Sequence, residues 1–93
     1  MSGFEHGLVK HLAEAALAKI DAETVRAFPR RLAEKHRMVP VKLQGRRMVV
    51  AVSRPPDLAL VEEIEFMLSV YVTPHLVNDV RLAQAMQRHY DTP

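Results

Sequence analysis

The stretch Met48-Val49-Val50-Ala51-Val52, followed by Ser53-Arg54-Pro55-Pro56-Asp57, decides the fold. Five apolar residues in a row, three of them valine, are typical of a strand that is covered on both faces. The two prolines stop the strand, and aspartate is a preferred residue at the start of a helix. We therefore predict a central strand, a short loop and a helix that begins at Leu58.

Upstream of the central strand, residues 39–43 alternate in polarity, which predicts a half-buried strand whose inward residues are Val39, Val41 and Leu43. Gln44-Gly45-Arg46 predicts a short hairpin loop, in which Gly45 is free to adopt a positive φ. The first strand should therefore pair with the central strand in an antiparallel hairpin.

Downstream, residues 58–69 predict a helix with one apolar stripe, made of Leu60, Val61, Ile64, Met67 and Leu68. Residues 70–77 alternate again, and Pro74 predicts an edge strand because proline cannot donate a ladder hydrogen bond. A last helix should follow to about Tyr90, capped by Asn78 or Asp79 and with these residues inward: Leu82, Ala83, Met86 and Tyr90.

The N-terminal part of the chain is predicted to be helical. Residues 7–20 are rich in alanine and leucine at helical spacing. Asp21 can cap a short helix over 22–28, and Pro29 suits the start of another over 30–36.

These elements predict a small α+β fold. It has a three-stranded mixed sheet of order 1-2-3, with the first strand pair antiparallel and the second parallel through a right-handed crossover. Helices pack on the sheet. Ninety-three residues suit a single domain, 1–93, with an N-terminal helical segment over 1–20 and a core over 21–90.

From residue 20 onward, short motifs occur in a characteristic order and spacing: Ile20-Asp21, Pro29 with Leu32-Ala33, His36, Val39-Pro40-Val41, the Gly45 hairpin, Val49-Val50-Ala51-Val52, Pro55 with Asp57, Val72 with Pro74, and Tyr90. This series resembles the N-terminal domain of type II secretion and type IV pilus assembly ATPases, the family of general secretory pathway protein E. The resemblance implies a docking domain that binds the cytoplasmic part of an inner-membrane platform protein. It also implies a cytoplasmic location, peripheral to the inner membrane through that partner.

The sequence departs from its relatives at two places. Arg54 stands where relatives often carry an acidic residue. The relatives that bind cyclic di-GMP resemble one another in a tandem motif rich in glycine and leucine upstream of this core, whereas this chain has glycine only at positions 3, 7 and 45. Binding of cyclic di-GMP through that motif is therefore not expected.

No pattern in the sequence predicts catalysis, a cofactor or a metal site. A G-x-x-x-x-G-K-[ST] loop for ATP is missing, and no serine lies in a nucleophile elbow. The five histidines form no H-x-x-x-H pair. We therefore expect that the chain itself is not an enzyme.

The charges are unevenly distributed. Residues 26–54 contain nine basic residues and one acidic residue, whereas residues 57–65 contain four acidic residues and no base. Solvated faces alone would explain such a pattern, but arginines also bind anionic partners. The candidate partner-binding residues are Arg30, Arg31, Arg46, Arg47 and Arg54.

The class of partner has two interpretations. A protein is favoured over nucleic acid, because the only aromatic residue in the basic region is Phe28, which we expect in the core. The alternative is a regulatory domain that binds a cyclic dinucleotide or nucleic acid through residues 26–54.

Tyr71 is either an exposed anchor on the edge strand or packs against a terminal helix. Direct membrane insertion is not expected, because the longest apolar run, residues 48–52, falls far short of the roughly 20 residues that span a bilayer.

Overall fold

The computed structural model describes Leu17 and residues 19–90. Its helices and strands follow in this order: α1 (Ala22–Ala27), α2 (Arg30–His36), β1 (Met38–Gln44), β2 (Arg47–Val52), α3 (Leu58–Leu68), β3 (Tyr71–Leu76) and α4 (Asp79–Tyr90). The sheet has the order β1-β2-β3, with β1 antiparallel and β3 parallel to β2. The predicted α+β class, strand order and strand directions are confirmed.

The helix predicted over 7–20 falls mostly outside the described residues. Lys19 and Ile20 lie in an irregular segment, so a helix does not extend to residue 20. Leu17 is buried in a cluster with residues of α4, and the Nε2 of His89 donates a hydrogen bond of 2.8 Å to the Leu17 carbonyl oxygen. These contacts fasten the segment before α1 to the last helix.

β2 is buried on both faces because its side chains alternate between two apolar clusters. Met48, Val50 and Val52 lie in one cluster, which also contains Phe28 and Ile64. Ala51 faces the opposite way, into a cluster built from these residues: Leu17, Val39, Val77, Leu82, Ala85 and Met86. The central strand is therefore covered from both sides, as its sequence predicts.

β1 contains a β-bulge between Pro40 and Lys42, so Val41 is an extra residue relative to β2. A bulge reverses the alternation of side chains beyond it. Val39 and Val41 accordingly pack with α4, whereas Leu43 packs into the opposite cluster. The expectation that all three lie on one face of the strand is therefore wrong for Leu43.

Two residues predicted to be inward are exposed. Met67 of α3 is 49% exposed, because Ile64 and Leu68 define the buried line and Met67 lies beside it. In α4, Ala83 is exposed and Ala85 is buried. The spacing of three and four residues from Leu82 selects Ala85 and the residue after it.

The ends of the helices are close to the predicted positions. The Oδ1 of Asn78 accepts hydrogen bonds from the backbone N–H groups of Val80 at 2.8 Å and Arg81 at 3.4 Å, which caps α4 as predicted. Asp21 and Asp57 stand at the N-cap positions of α1 and α3, but their side chains make no capping hydrogen bond.

Tyr90 joins the end of α4 to α1. Its hydroxyl lies 3.2 Å from the carbonyl oxygen of Val25 and 3.1 Å from that of Phe28, and it donates to these acceptors. Phe28 is extended and buried at the end of α1. Burial raises the pKa of Tyr90 well above the usual value for a phenol.

We predict that Val50→Asp unfolds the domain. The carboxyl group would enter the cluster beneath α3, and burying it without a partner costs more than several kcal/mol, comparable to the whole stability of a small domain. Two-dimensional NMR should show collapsed amide dispersion. Val80→Asp is the control, because Val80 is 64% exposed in the first turn of α4; a dispersed spectrum for both variants would contradict the assignment of β2 as the buried strand.

Tyr90→Phe should lower the free energy of unfolding by about 1 kcal/mol, because the buried Phe28 carbonyl loses this donor. The partly buried Val25 carbonyl also loses the hydroxyl but still accepts from the N–H of Phe28. The raised pKa also predicts a pH effect. Folding disfavours the phenolate form of Tyr90. The contribution of Tyr90 to the free energy of unfolding is therefore complete below the unfolded pKa of about 10 and declines as pH rises above it. Urea unfolding at pH 8 and pH 11 measures both effects. Tyr71→Phe, which changes an exposed hydroxyl, is the control; equal pH dependence in the parent and Tyr90→Phe would contradict the role of Tyr90.

Candidate partner-binding site

The structure places the five candidate arginines in three locations. Arg30 and Arg31 begin α2, Arg46 and Arg47 belong to the β1–β2 hairpin, and Arg54 follows β2. All five are exposed. The hairpin pair and Arg54 lie at opposite ends of β2, on the order of 20 Å apart. The basic region is therefore not one continuous surface.

The arginine pair at the start of α2 has a local partner. The Nε of Arg30 lies 2.9 Å from the Oε2 of Glu34 one turn later, and both side chains are about half exposed, at 58% and 42%. Such an exposed pair within a helix contributes only about 0.3–0.5 kcal/mol. Its main effect is to neutralise part of the charge that this end of α2 would present to a partner.

The hairpin is held against the loop after α3. Gly45 adopts a φ of +60°, which a two-residue turn requires. The backbone N–H of Tyr71 donates to the carbonyl oxygen of Arg46 at 2.6 Å, and the Nε of Arg46 donates to the carbonyl oxygen of Ser69 at 3.3 Å. Ser69 itself has a left-handed conformation with φ of 56°. The position of Arg46 is therefore fixed from both its backbone and its side chain.

Two exposed aromatic side chains lie beside this hairpin. Phe66 is 87% exposed and Tyr71 is 67% exposed. They line a shallow cleft of about 240 Å³, whose full lining is Arg46, Glu65, Phe66, Ser69, Val70 and Tyr71. Tyr71 is therefore exposed, as the first of the two predictions requires, and its role as an anchor stays a prediction.

Sequence reasoning missed Phe66. The buried line of α3 runs through residues spaced by four, Leu60, Ile64 and Leu68. Phe66 is half a turn from that line and so faces outward. This placement could have been found by asking which apolar residues of the helix fall outside its inward stripe.

The outer edge of β3 cannot readily accept another strand. The N–H groups of Tyr71 and Val77 point towards β2, so those of Val72 and Leu76 point away from it. The N–H of Val72 donates to the carboxylate of Glu65 at 2.8 Å, and Pro74 has no N–H. Binding by strand addition at this edge is therefore obstructed.

A second concave region lies at the other end of the sheet. It is a cleft of about 400 Å³ lined by Lys35, His36, Arg37, Met38, Val52, Ser53, Arg54, Pro55, Pro56, Leu60 and Asp79. Its floor is apolar, because Met38 and Val52 are buried. The Nη2 of Arg37 lies 3.5 Å from the Oδ1 of Asp79, so one of the three cations is partly neutralised. This cleft combines positive charge with an apolar floor, and we call it the cationic cleft.

Among Leu17 and residues 19–90, no group of three or more histidine, cysteine, aspartate or glutamate side chains could hold a metal ion. Of the helices that the structure describes, none has the length and hydropathy needed to cross a membrane. His36 and Ser53 both line the cationic cleft. There they contribute to the shape of the cleft.

Comparisons with known proteins find similarity to one family model, to a pilus ATPase and to solved structures. The family model described as MshEN domain matches residues 10–93. Type IV pilus assembly ATPase PilB of Myxococcus xanthus (strain DK1622) is 25% identical over 71 residues, which is 76% of this chain but only 12% of PilB. A solved structure of MshE with cdg matches with a TM-score of 0.66 and 23% identity, covering 80% of this chain and 55% of that one. This last likeness shows the fold.

Proposed function

Since the chain belongs to the MshEN domain family, we propose that it is a non-catalytic docking domain of a type IV pilus or type II secretion ATPase system. It binds the cytoplasmic part of an inner-membrane platform protein and therefore works in the cytoplasm. The family match over residues 10–93 carries the proposal, and it confirms the resemblance predicted from the sequence. The similarity to PilB supports the pilus branch, although the chain spans only 12% of that protein.

The hairpin arginines support this function best among the five candidates. Arg46 and Arg47 are exposed and lie next to exposed aromatic side chains. Arginine and tyrosine are enriched among the residues that dominate binding energy at protein interfaces. Arg30 is engaged by Glu34, and Arg54 faces the separate cationic cleft. We therefore assign the platform contact to the hairpin, with the other three arginines as secondary candidates.

Reversing both hairpin charges, Arg46→Glu with Arg47→Glu, should leave the fold intact and slow association with the platform protein about tenfold at low salt. Charges at an interface act mainly on the association rate. Surface plasmon resonance at two salt concentrations measures this. Arg30→Glu with Arg31→Glu is the matched control, since it reverses the same charge at the start of α2. Equal association rates for the parent and the hairpin variant would exclude the hairpin as the contact.

The second candidate function is a regulatory domain that binds an anionic ligand. The observation that favours it is the cationic cleft, where Lys35, Arg37 and Arg54 converge over an apolar floor. The volume of about 400 Å³ lies within the usual range of small-molecule sites. Nucleic acid is less well supported, because Phe28 is 1% exposed and offers no stacking surface.

The docking function predicts no saturable binding of cyclic di-GMP at micromolar concentration and no ATP turnover by this chain. The upstream glycine- and leucine-rich motif and the phosphate-binding loop are both missing from the sequence. Isothermal titration calorimetry and a phosphate-release assay test the two parts. Saturable heat that disappears in Arg54→Gln would establish the second candidate instead. Steady phosphate release would show that the chain is an enzyme.

A further inference from the structure

We infer that the docking surface is the cleft beside the hairpin, with Phe66 and Tyr71 as apolar anchors and Arg46 and Arg47 as its charged side. Its occupant is a short segment of a partner protein in which an apolar side chain stands next to carboxylates. This inference rests on the docking function proposed above, and it adds the surface, the anchors and the chemistry of the partner.

α3 exposes apolar surface. The helix packs Leu60, Ile64 and Leu68 against the sheet, yet Phe66 on its outer side is 87% exposed. Met67, beside the buried line, is 49% exposed. A surface helix normally has its apolar residues on one stripe. Burial of a phenylalanine side chain is stabilising, and the fold of this protein does not gain that stabilisation from Phe66. A partner that covers Phe66 would gain it.

The surface beside the hairpin is already ordered. Arg46 is held by hydrogen bonds to Tyr71 and to Ser69, and the carboxylate of Glu65 is held by the N–H of Val72. A partner therefore meets side chains whose supporting backbone is fixed. Less conformational entropy is lost on binding when the surface is preorganised.

The hairpin supplies positive charge beside the anchors. Arg46 lines the cleft, and Arg47 is exposed and pairs with Tyr71 across β2 and β3. Guanidinium groups pair with carboxylates through parallel hydrogen bonds. Glu62 and Glu63 lie one turn before Phe66 on α3 and would repel an acidic segment there. The acidic part of the partner should therefore lie over the hairpin and its apolar side chain over Phe66.

The mode of binding follows from the edge of β3. Strand addition would need free N–H groups along that edge, but the N–H of Val72 is used by Glu65 and Pro74 has none. The partner segment should therefore bind through its side chains. Substitutions of the anchor side chains Phe66 and Tyr71 should therefore affect binding more than changes in backbone hydrogen bonding at the β3 edge.

The test is an NMR titration of the 93-residue chain with a short peptide in which leucine and phenylalanine alternate with aspartate and glutamate. We expect saturable shifts at Arg46, Arg47, Phe66 and Tyr71. Phe66→Ala should weaken the affinity at least about tenfold, or about 1.4 kcal/mol. Leu58→Ala is the matched control, since Leu58 is 71% exposed on the same helix but outside the cleft.

A peptide of the same length with lysine in place of the acidic residues should not bind. Shifts confined to other residues, equal affinity for Phe66→Ala and Leu58→Ala, or equal binding of the lysine peptide would each overturn the inference. Urea unfolding of Phe66→Ala should match the parent, which excludes a loss of fold as the reason for weaker binding.

The platform protein separates this inference from the docking function. If it binds the parent and Phe66→Ala equally, docking stands and this surface is wrong. If the platform protein binds neither the parent nor Phe66→Ala, while the acidic peptide gives the expected shifts, the surface is supported and the proposed partner is wrong. If it binds the parent and the hairpin or Phe66 change weakens it, both are supported.

Discussion

β2 carries apolar side chains on both faces, and each square ångström of apolar surface left in water costs about 25 cal/mol. Neither face of the strand can therefore remain open. The two clusters satisfy this requirement from opposite sides, one with α4 and Leu17, the other with Phe28 and α3. The parallel pairing of β3 follows, because α3 must cross one face before the chain returns to the sheet. Most of the topology is a consequence of five consecutive apolar residues.

Much of the fold could accordingly be predicted from sequence. The apolar run predicts the central strand, the glycine predicts the hairpin, and the proline predicts an edge strand. Together they predict the strand order that the sheet has. The β-bulge in β1 could not be predicted, because Val39, Val41 and Leu43 alternate as in a regular strand. A bulge exists only relative to a partner strand. It therefore depends on the pairing of β1 with β2, and the sequence of β1 alone does not reveal it.

The candidate site was harder to predict, for two physical reasons. Met67 lies close to the buried line of α3, so periodicity alone did not separate it from the inward residues. Phe66 fell outside the predicted stripe, but an exposed apolar residue on a helix does not by itself indicate a site. The arginines were found individually, but their grouping depends on how the chain turns. Arg37 has a left-handed conformation with φ of 52°, and its neighbours reach the cleft shared with Arg54. Arg37 and Arg54 thus line the same cleft although they are 17 positions apart, whereas Arg47 and Arg54, only seven apart, do not.

Val50 pairs with Pro40 in β1 and with Pro74 in β3, so both outer strands carry a proline in the same row of the sheet. Neither proline can donate a hydrogen bond to a strand from another molecule. The three-stranded sheet of the described residues, with two such interruptions, is a poor template for the stacked, open-ended assemblies that exposed strand edges initiate. The arrangement would let many copies be held close together without fusing their sheets into a fibre. Protection against aggregation is thus built into the residues that flank a fully buried valine.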